Sequence, residues 1–495
     1  MNLVFVSVTL WVFYLFLCLH FISYIKNFYI LTKKCSFDVE KKNRMHIHFI
    51  AIGGSAMHNL ALALHDKGEH ITGSDDVIFE PSKSRLSAKG LLPENQGWYP
   101  EKITQEIDAV ILGMHAKADN PELLKAQELG LKIYSYPEFI YEHSKNKTRV
   151  VIGGSHGKTT ITSMILHVMN YHYIAVDYLV GAQLDGFENM VHLTKENDFI
   201  VIEGDEYLSS PTDLRPKFHL YQPNVALISG IAWDHINVFP TFENYVDQFK
   251  TFIDKITNGG ILIYNEDDAV VKQVVEEAEK PIRKLPYSLP EYSIENGVTY
   301  LETTDGPMPI EVFGAHNLSN LAGAKWICQN MGIDEAEFYE AIASFKGASK
   351  RLEKIAQSET AVVYKDFAHS PSKVQATTLA VKKQYPEKKL IACLELHTYS
   401  SLNAEFLNQY QGALDAADTA VVFYSLDAVV IKNLNEITKE QIEEAFKRDD
   451  LIVYTNPDEF KSFLLVQDFT DSVLLLMSSG NYGGLDFDEV QRIIE

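Results

Sequence analysis

Val151-Ile-Gly-Gly-Ser-His-Gly-Lys-Thr-Thr-Ile161 places a lysine and two threonines directly behind a glycine-rich stretch. A β-branched run from Thr148 to Ile152 precedes it, and Ile161, Met164, Ile165 and Val168 follow at helical spacing. The segment therefore reads as strand, glycine loop and helix. That order suits a nucleotide phosphate, because a helix start offers unpaired N–H groups and a positive dipole end, and glycines let the backbone approach the anion. The backbone of Gly154, Ser155, His156 and Gly157 would wrap the phosphates. Lys158 would add a point charge, and Thr159 and Thr160 would supply hydroxyls, one of them to a magnesium ion. The spacing G-x-x-x-x-G-K-[ST] is not met, since Ile152 stands five positions before Gly157. A glycine turn with a purely structural role is the competing reading.

Other residues could complete such a site. Phe199-Ile-Val-Ile-Glu-Gly-Asp-Glu206 is an apolar strand ending in carboxylates, at the rim of a sheet where ligands bind; Glu203 could join Thr159 on magnesium, or the run could be a solvated turn. Val225 to His235 reads as a third strand ending in Asp234-His235, so His235 is a metal candidate or a structural histidine. In Phe313-Gly-Ala-His-Asn-Leu-Ser-Asn320, Asn317 and Asn320 share a helix face and could read an adenine edge; capping by Asn317 is the alternative. Near the start of the chain Gly53-Gly54 follows a strand and Gly73-Ser74-Asp75 ends the next. These lack G-x-G-x-x-G, so a dinucleotide fingerprint is not supported, and a nucleotide of another kind or tight helix packing remains.

The elements that must hold these residues alternate strand and helix from Met45 onward and restart twice, which predicts an α/β protein of parallel sheets. With 495 residues and 46% apolar composition, about three domains are expected. The net charge of −23 disfavours a broad nucleic-acid surface and leaves anions to local features. Cys18, Cys35, Cys328 and Cys393 form no C-x-x-C pair, which fits a reducing compartment, with Cys328 and Cys393 expected to be buried. From Leu3 to Ile25 the chain carries no charged side chain and basic residues follow, the pattern of a membrane anchor with the rest of the chain inside. The reading favoured here is that translation starts at Met45, because His46–Ile52 is already a first strand. Either way the catalytic part is expected to face the cytoplasm.

Taken in order, IGGSAM, GGSHGKTT, EGDE, WDH, GAHNLSN, Lys350-Arg351 before a strand, and DFAHSP resemble the muramyl (Mur) ligases of peptidoglycan synthesis and recycling, from about Met45 to the C-terminus. The resemblance implies a Rossmann-like UDP-sugar domain over residues 45–146, a central P-loop ATPase over 147–346 and a Rossmann-like ligase domain over 347–495. It also implies ATP-dependent amide formation through an acyl phosphate, with ATP and magnesium as cofactors. Lys158, Glu203, His235, Arg351, Asp366 and His369 would be catalytic, and Thr159, Glu203 and His235 would serve the metal ions. Asn317, Asn320, Arg351 and Asp366 would contact the nucleotide. Gly53, Gly54, Ser74, Asp75, His115 and Asn120 would line the UDP-sugar site. UDP-N-acetylmuramate is the implied acid, and the amine is an amino acid or peptide. Asp205 to Pro223, DEYLSSPTDLRPKFHLYQP, favours the recycled tripeptide L-alanyl-γ-D-glutamyl-meso-diaminopimelate, with Arg215 and Lys217 as candidate anchors; L-alanine is the alternative, and an inactive nucleotide-binding scaffold a remote one. Lys365 stands where the alanine-adding members often show an acid.

Overall fold

The computed structural model describes residues 44–494 except 185, 349, 350, 433 and 436. The expectations placed on residues 1–43 and on Lys350 lie outside the described residues. Among the described residues no helix is long and apolar enough to cross a membrane.

Three helix-covered sheets follow one another along the chain. The first has four parallel strands in the order His70–Ser74, His46–Ile50, Ala109–Leu112, Ile133–Ser135. The second has seven, in the order Arg283–Tyr287, Ile261–Asn265, Val225–Ile228, Thr148–Gly153, Phe199–Glu203, Asp177–Leu179, Val191–His192, parallel except for the last pairing. The third has six, with Glu353–Gln357 antiparallel to Val362–Asp366, then Ser472–Met477, Lys389–Glu395, Thr419–Phe423 and Ile452–Tyr454, all parallel. The strands are nearly continuous apolar runs, as parallel strands covered on both faces must be. Val150, Val151 and Ile152 are fully buried, as are Leu474 and Leu475. Cys328 and Cys393 are free and buried, as the sequence suggested.

The order of the central sheet fixes where a ligand can sit. Thr148–Gly153 lies between Val225–Ile228 and Phe199–Glu203, so connections leave its carboxyl end in opposite directions and open a crevice there. The helix Lys158–Tyr171 starts at that crevice, and the helix Ala315–Asn330 packs beside it. Three expected strands are shorter than the sequence suggested, with His46 to Ile52 ending at Ile50 and Phe199 to Glu206 at Glu203. Val225 to His235 stops at Ile228, because the following backbone bonds the glycine loop: Ser229 N–H donates to Gly153 O (3.1 Å) and Gly230 O accepts from Ser155 N–H (3.0 Å). Ile152, which replaces the first glycine of the usual phosphate loop, sits inside its strand and is fully buried.

Candidate active site

The glycine loop is held by its neighbours on every side. Gly157 takes φ 81° and begins the helix; a Cβ there would lie 2.3 Å from Oδ1 of Asn320. Gly154 takes φ 133°, and a Cβ would lie 2.1 Å from Oγ of Ser229. Only glycine fits both the left-handed backbone and the close approach. Ser155 accepts from the Ala232 N–H and the Tyr245 hydroxyl, each at 2.9 Å, which ties the loop to two further elements.

Lys158 donates to the Gly154 carbonyl and to Oε2 of Glu206, both at 2.6 Å. Burial alone would lower its pKa, but Glu206, Asp205 and Glu203 carry it above the ordinary value, so the ammonium keeps its charge. Burial likewise opposes the charged form of Glu206, and Lys158 and His235 together hold its carboxyl below the usual range. Thr159 donates to Oε1 of Glu203 at 2.9 Å, and Oε2 of that carboxylate accepts from the Gly181 N–H at 3.0 Å. His235, at φ 55°, lies 3.6 Å from Glu206. Desolvation pulls the His235 pKa down, and Glu206 and Asp234 more than restore it.

A cavity of about 290 Å³ opens next to this loop, between the central and C-terminal sheets. His156, Thr160, Asn317 and Asn320 line it from one side, and Arg351 and Asp366 from the other. Asn317 does not cap its helix; Gly314 does, and the Asn317 amide donates to the Phe313 carbonyl at 3.0 Å. Asp366 accepts from the N–H groups of Leu352 (2.6 Å) and Ala368 (2.7 Å), while burial raises its pKa against the pull of Arg351. The Arg351 guanidinium lies over the Phe367 ring at 4.9 Å. His369 bonds the Phe367 carbonyl through Nδ1 at 2.7 Å, and burial lowers its pKa to about 4, as it does those of His156 and His316.

The first sheet presents a separate rim. The Gly53 N–H donates to Asp75 at 2.7 Å, and burial raises the Asp75 carboxyl to about 6. Ser74 is buried at the end of its strand, and Gly54 starts the helix Ser55–Asp66. His115 is exposed after the strand Ala109–Leu112. Asn120 is buried, and its side-chain oxygen caps the helix Pro121–Glu128 by accepting from Glu122 and Leu123, which leaves only its amide N–H groups for a ligand.

The sequence-chosen residues thus fall into three groups: the loop with Glu203, the inter-sheet cavity, and the first sheet's rim. The sequence reading missed Glu206, Tyr245 and Lys373. Glu206 ends the EGDE run and Lys373 follows DFAHSP, so each lay beside a recognised motif; what singles them out is a contact to a residue far along the chain. The two expected peptide anchors are occupied. Arg215 bonds Asp213 (2.7 Å) and Glu138 (3.3 Å), and Lys217 is paired with Asp205.

Among the described residues no cluster of three or more His, Cys, Asp or Glu side chains is arranged as a metal cage. A hydroxyl and a carboxylate, Thr159 and Glu203, nevertheless fit magnesium, which keeps much of its water and takes few protein oxygens.

Comparison with known proteins gives a consistent result. Residues 152–328 match the Mur ligase middle domain, and residues 46–148 match the Mur ligase family, catalytic domain. A UDP-N-acetylmuramate–L-alanine ligase of Sulfurihydrogenibium sp. is 30% identical over 446 residues, 88% of this chain and 95% of that protein. Its counterpart in Caldicellulosiruptor bescii is 31% identical over 80% of this chain and 86% of its own length. Among solved structures, the UDP-N-acetylmuramate-alanine ligase of Thermotoga maritima superposes with a TM-score of 0.64 at 20% identity, covering 91% of this chain and 98% of that one. The murein peptide ligase of Psychrobacter arcticus gives 0.61 at 21%, covering 91% and 99%. At such identities these structures speak to the fold alone.

Proposed function

This chain belongs to the Mur ligase family, and from that premise we propose that it uses ATP to join the carboxylate of UDP-N-acetylmuramate to an amine. A carboxylate is a poor electrophile. Its oxygen attacks the γ-phosphorus, ADP leaves, the amine nitrogen attacks the resulting acyl phosphate, and phosphate departs. Negative charge gathers at the transferred group, and Lys158 with the loop N–H groups faces the place where it gathers. Asn317 and Asn320 would orient the nucleoside from one side, and Arg351 and Asp366 from the other. Magnesium, held by Thr159 and Glu203 with His235 nearby, would neutralise phosphate charge. Gly53, Gly54, Ser74 and Asp75, with His115 and the Asn120 amide, would bind the UDP-sugar on the first sheet. His369 would support the loop it bonds. Residues 45–146, 147–346 and 347–495 would be the corresponding domains.

The observation that carries this reading is the meeting of Asn317 and Asn320 with Arg351 and Asp366 across one cavity beside Lys158. The test is phosphate release: it should require ATP, UDP-N-acetylmuramate and an amine together, and release without the amine in steady state would refute a ligase.

L-Alanine is the amine proposed here. It is supported by the names of the sequence relatives and by the local ion pairs that already engage Arg215 and Lys217. The tripeptide expected from the sequence keeps one favourable observation, the 58% exposure of Arg215 beside the loop that carries Tyr207. Comparing kcat/KM for the two amines separates them. A preference for L-alanine of about tenfold or more, ~1.4 kcal/mol, is expected; the opposite preference would restore the tripeptide.

A further inference from the structure

Lys373 stands where a lysine is poorly placed. It occupies the first turn of the helix Pro371–Gln384, against the positive end of the helix dipole. Only 19% of its side chain is exposed. Burial lowers its pKa, Lys158 and Arg351 oppose its charge further, and Asp234 offers the main compensation. That carboxylate lies 3.6 Å away, too far for a good hydrogen bond. An ion pair of this kind contributes little stability over an apolar pair of the same size. Its location supplies another reason for a lysine. Lys373 lines the nucleotide cavity together with Arg351, His156 and Asn320. Asp234 belongs to the central half, in the loop after Val225–Ile228, and Lys373 to the C-terminal half, so the pair bridges the two.

Resting on the nucleotide reading above, we propose that Lys373 is a phosphate-binding cation delivered by the C-terminal half, which exchanges Asp234 for a phosphate oxygen of ATP. Asp234 then acts as a holder, keeping the ammonium at the cavity wall without a bond short enough to trap it. A compact ammonium can follow a phosphate oxygen through several orientations, which a planar guanidinium cannot do as freely. Lys158 holds the phosphates from the glycine loop and Lys373 from across the cavity, so the charged end of the nucleotide itself joins the two halves.

The test is calorimetric titration of the full-length chain with ATP, ADP and adenosine, all with magnesium. In K373M the affinity for ATP should fall by about tenfold or more, ~1.4 kcal/mol. The affinity for adenosine should stay within about twofold, because adenosine carries no phosphate charge. K373R should recover part of the loss, since it restores the charge without the compact ammonium, and D234N should bind ATP about two- to fivefold more tightly, since it removes a competing anion. Equal losses for all three ligands in K373M, or none for ATP, overturn the proposal. If K373M does not fold, D234N decides: weaker ATP binding there would show a structural pair and nothing more. An unaltered chain that fails to bind ATP would refute the nucleotide reading itself, whereas normal ATP binding with an indifferent Lys373 refutes this inference alone.

Discussion

The ammonium of Lys158 is held between the Gly154 carbonyl and the Glu206 carboxylate, so its removal has two effects that can be separated. Lys158→Ala should lower kcat by about 10²-fold or more through lost charge stabilisation in the transition state. It should also lower stability by about 3 kcal/mol, because Glu206 is 1% exposed and would be left with only His235, 3.6 Å away, to balance its charge. Lys158→Ala with Glu206→Gln should recover melting temperature and not turnover; near-normal turnover in either folded variant would refute the role of the lysine. Outside the site, burial lowers His143 and His219 from 6.5 to about 4. The unfolded chain binds protons at these positions before the folded one does. Their contribution is therefore fully present above about pH 6.5 and is lost as pH falls toward 4. Denaturant midpoints should fall across that window, and His219→Gln should flatten the slope. At this scale the sequence identified residues by type and neighbourhood. It could not pair Lys158 with Glu206, because 48 positions separate them and only the sheet order brings them together.

Elements were more legible than contacts. The strand before the glycine loop and the helix after it lie where alternation and apolar runs placed them. The strand ending at Ile228 was over-extended, because its apolar continuation packs against the glycine loop instead of a neighbouring strand. The join between elements yields a sharper expectation. The helices Lys158–Tyr171 and Ala315–Asn330 meet at Gly157, where a Cβ would collide with Asn320. Gly157→Ala must carry a left-handed residue, costing roughly 1–2 kcal/mol, and must also displace the Asn320 amide. Nucleotide affinity should therefore drop together with stability, by on the order of tenfold (~1.4 kcal/mol) beside a stability loss of ~2 kcal/mol. Titration with ATP beside a thermal melt checks this, and unchanged affinity in a folded variant would separate Asn320 from the nucleotide.

The whole molecule was legible as three sheets but not as an assembly of them. Alternation reports each sheet, while the seam between the central and C-terminal halves is made of scattered contacts, aromatic pairs such as Phe313 with Tyr364 and Trp233 with Phe406 beside single polar bonds, that carry no periodic signal. One such contact, a polar one, lies away from the cavity between the two sheets. The three-stranded antiparallel sheet Tyr292–Glu295, Val298–Thr303, Gly306–Ile310 meets the far end of the helix Pro371–Gln384. The Gln384 amide donates to the Gly297 carbonyl at 2.7 Å, and its oxygen accepts from the Thr299 hydroxyl at 3.0 Å. Both Gln384 and Thr299 are buried, so the bonds act as a clasp at one end of the helix whose other end carries Lys373. Gln384→Ala would leave a hydroxyl and a carbonyl to water, at a cost of about 1–3 kcal/mol that falls on the closed arrangement. Neither sheet loses a core residue, so each half should remain folded. The expected result is a larger radius of gyration by small-angle scattering, with ATP restoring compactness and KM for ATP rising severalfold while saturated turnover changes little. A variant that instead melts throughout, with compactness unaltered by ATP, would place Gln384 in the stability of one half and remove it from the seam.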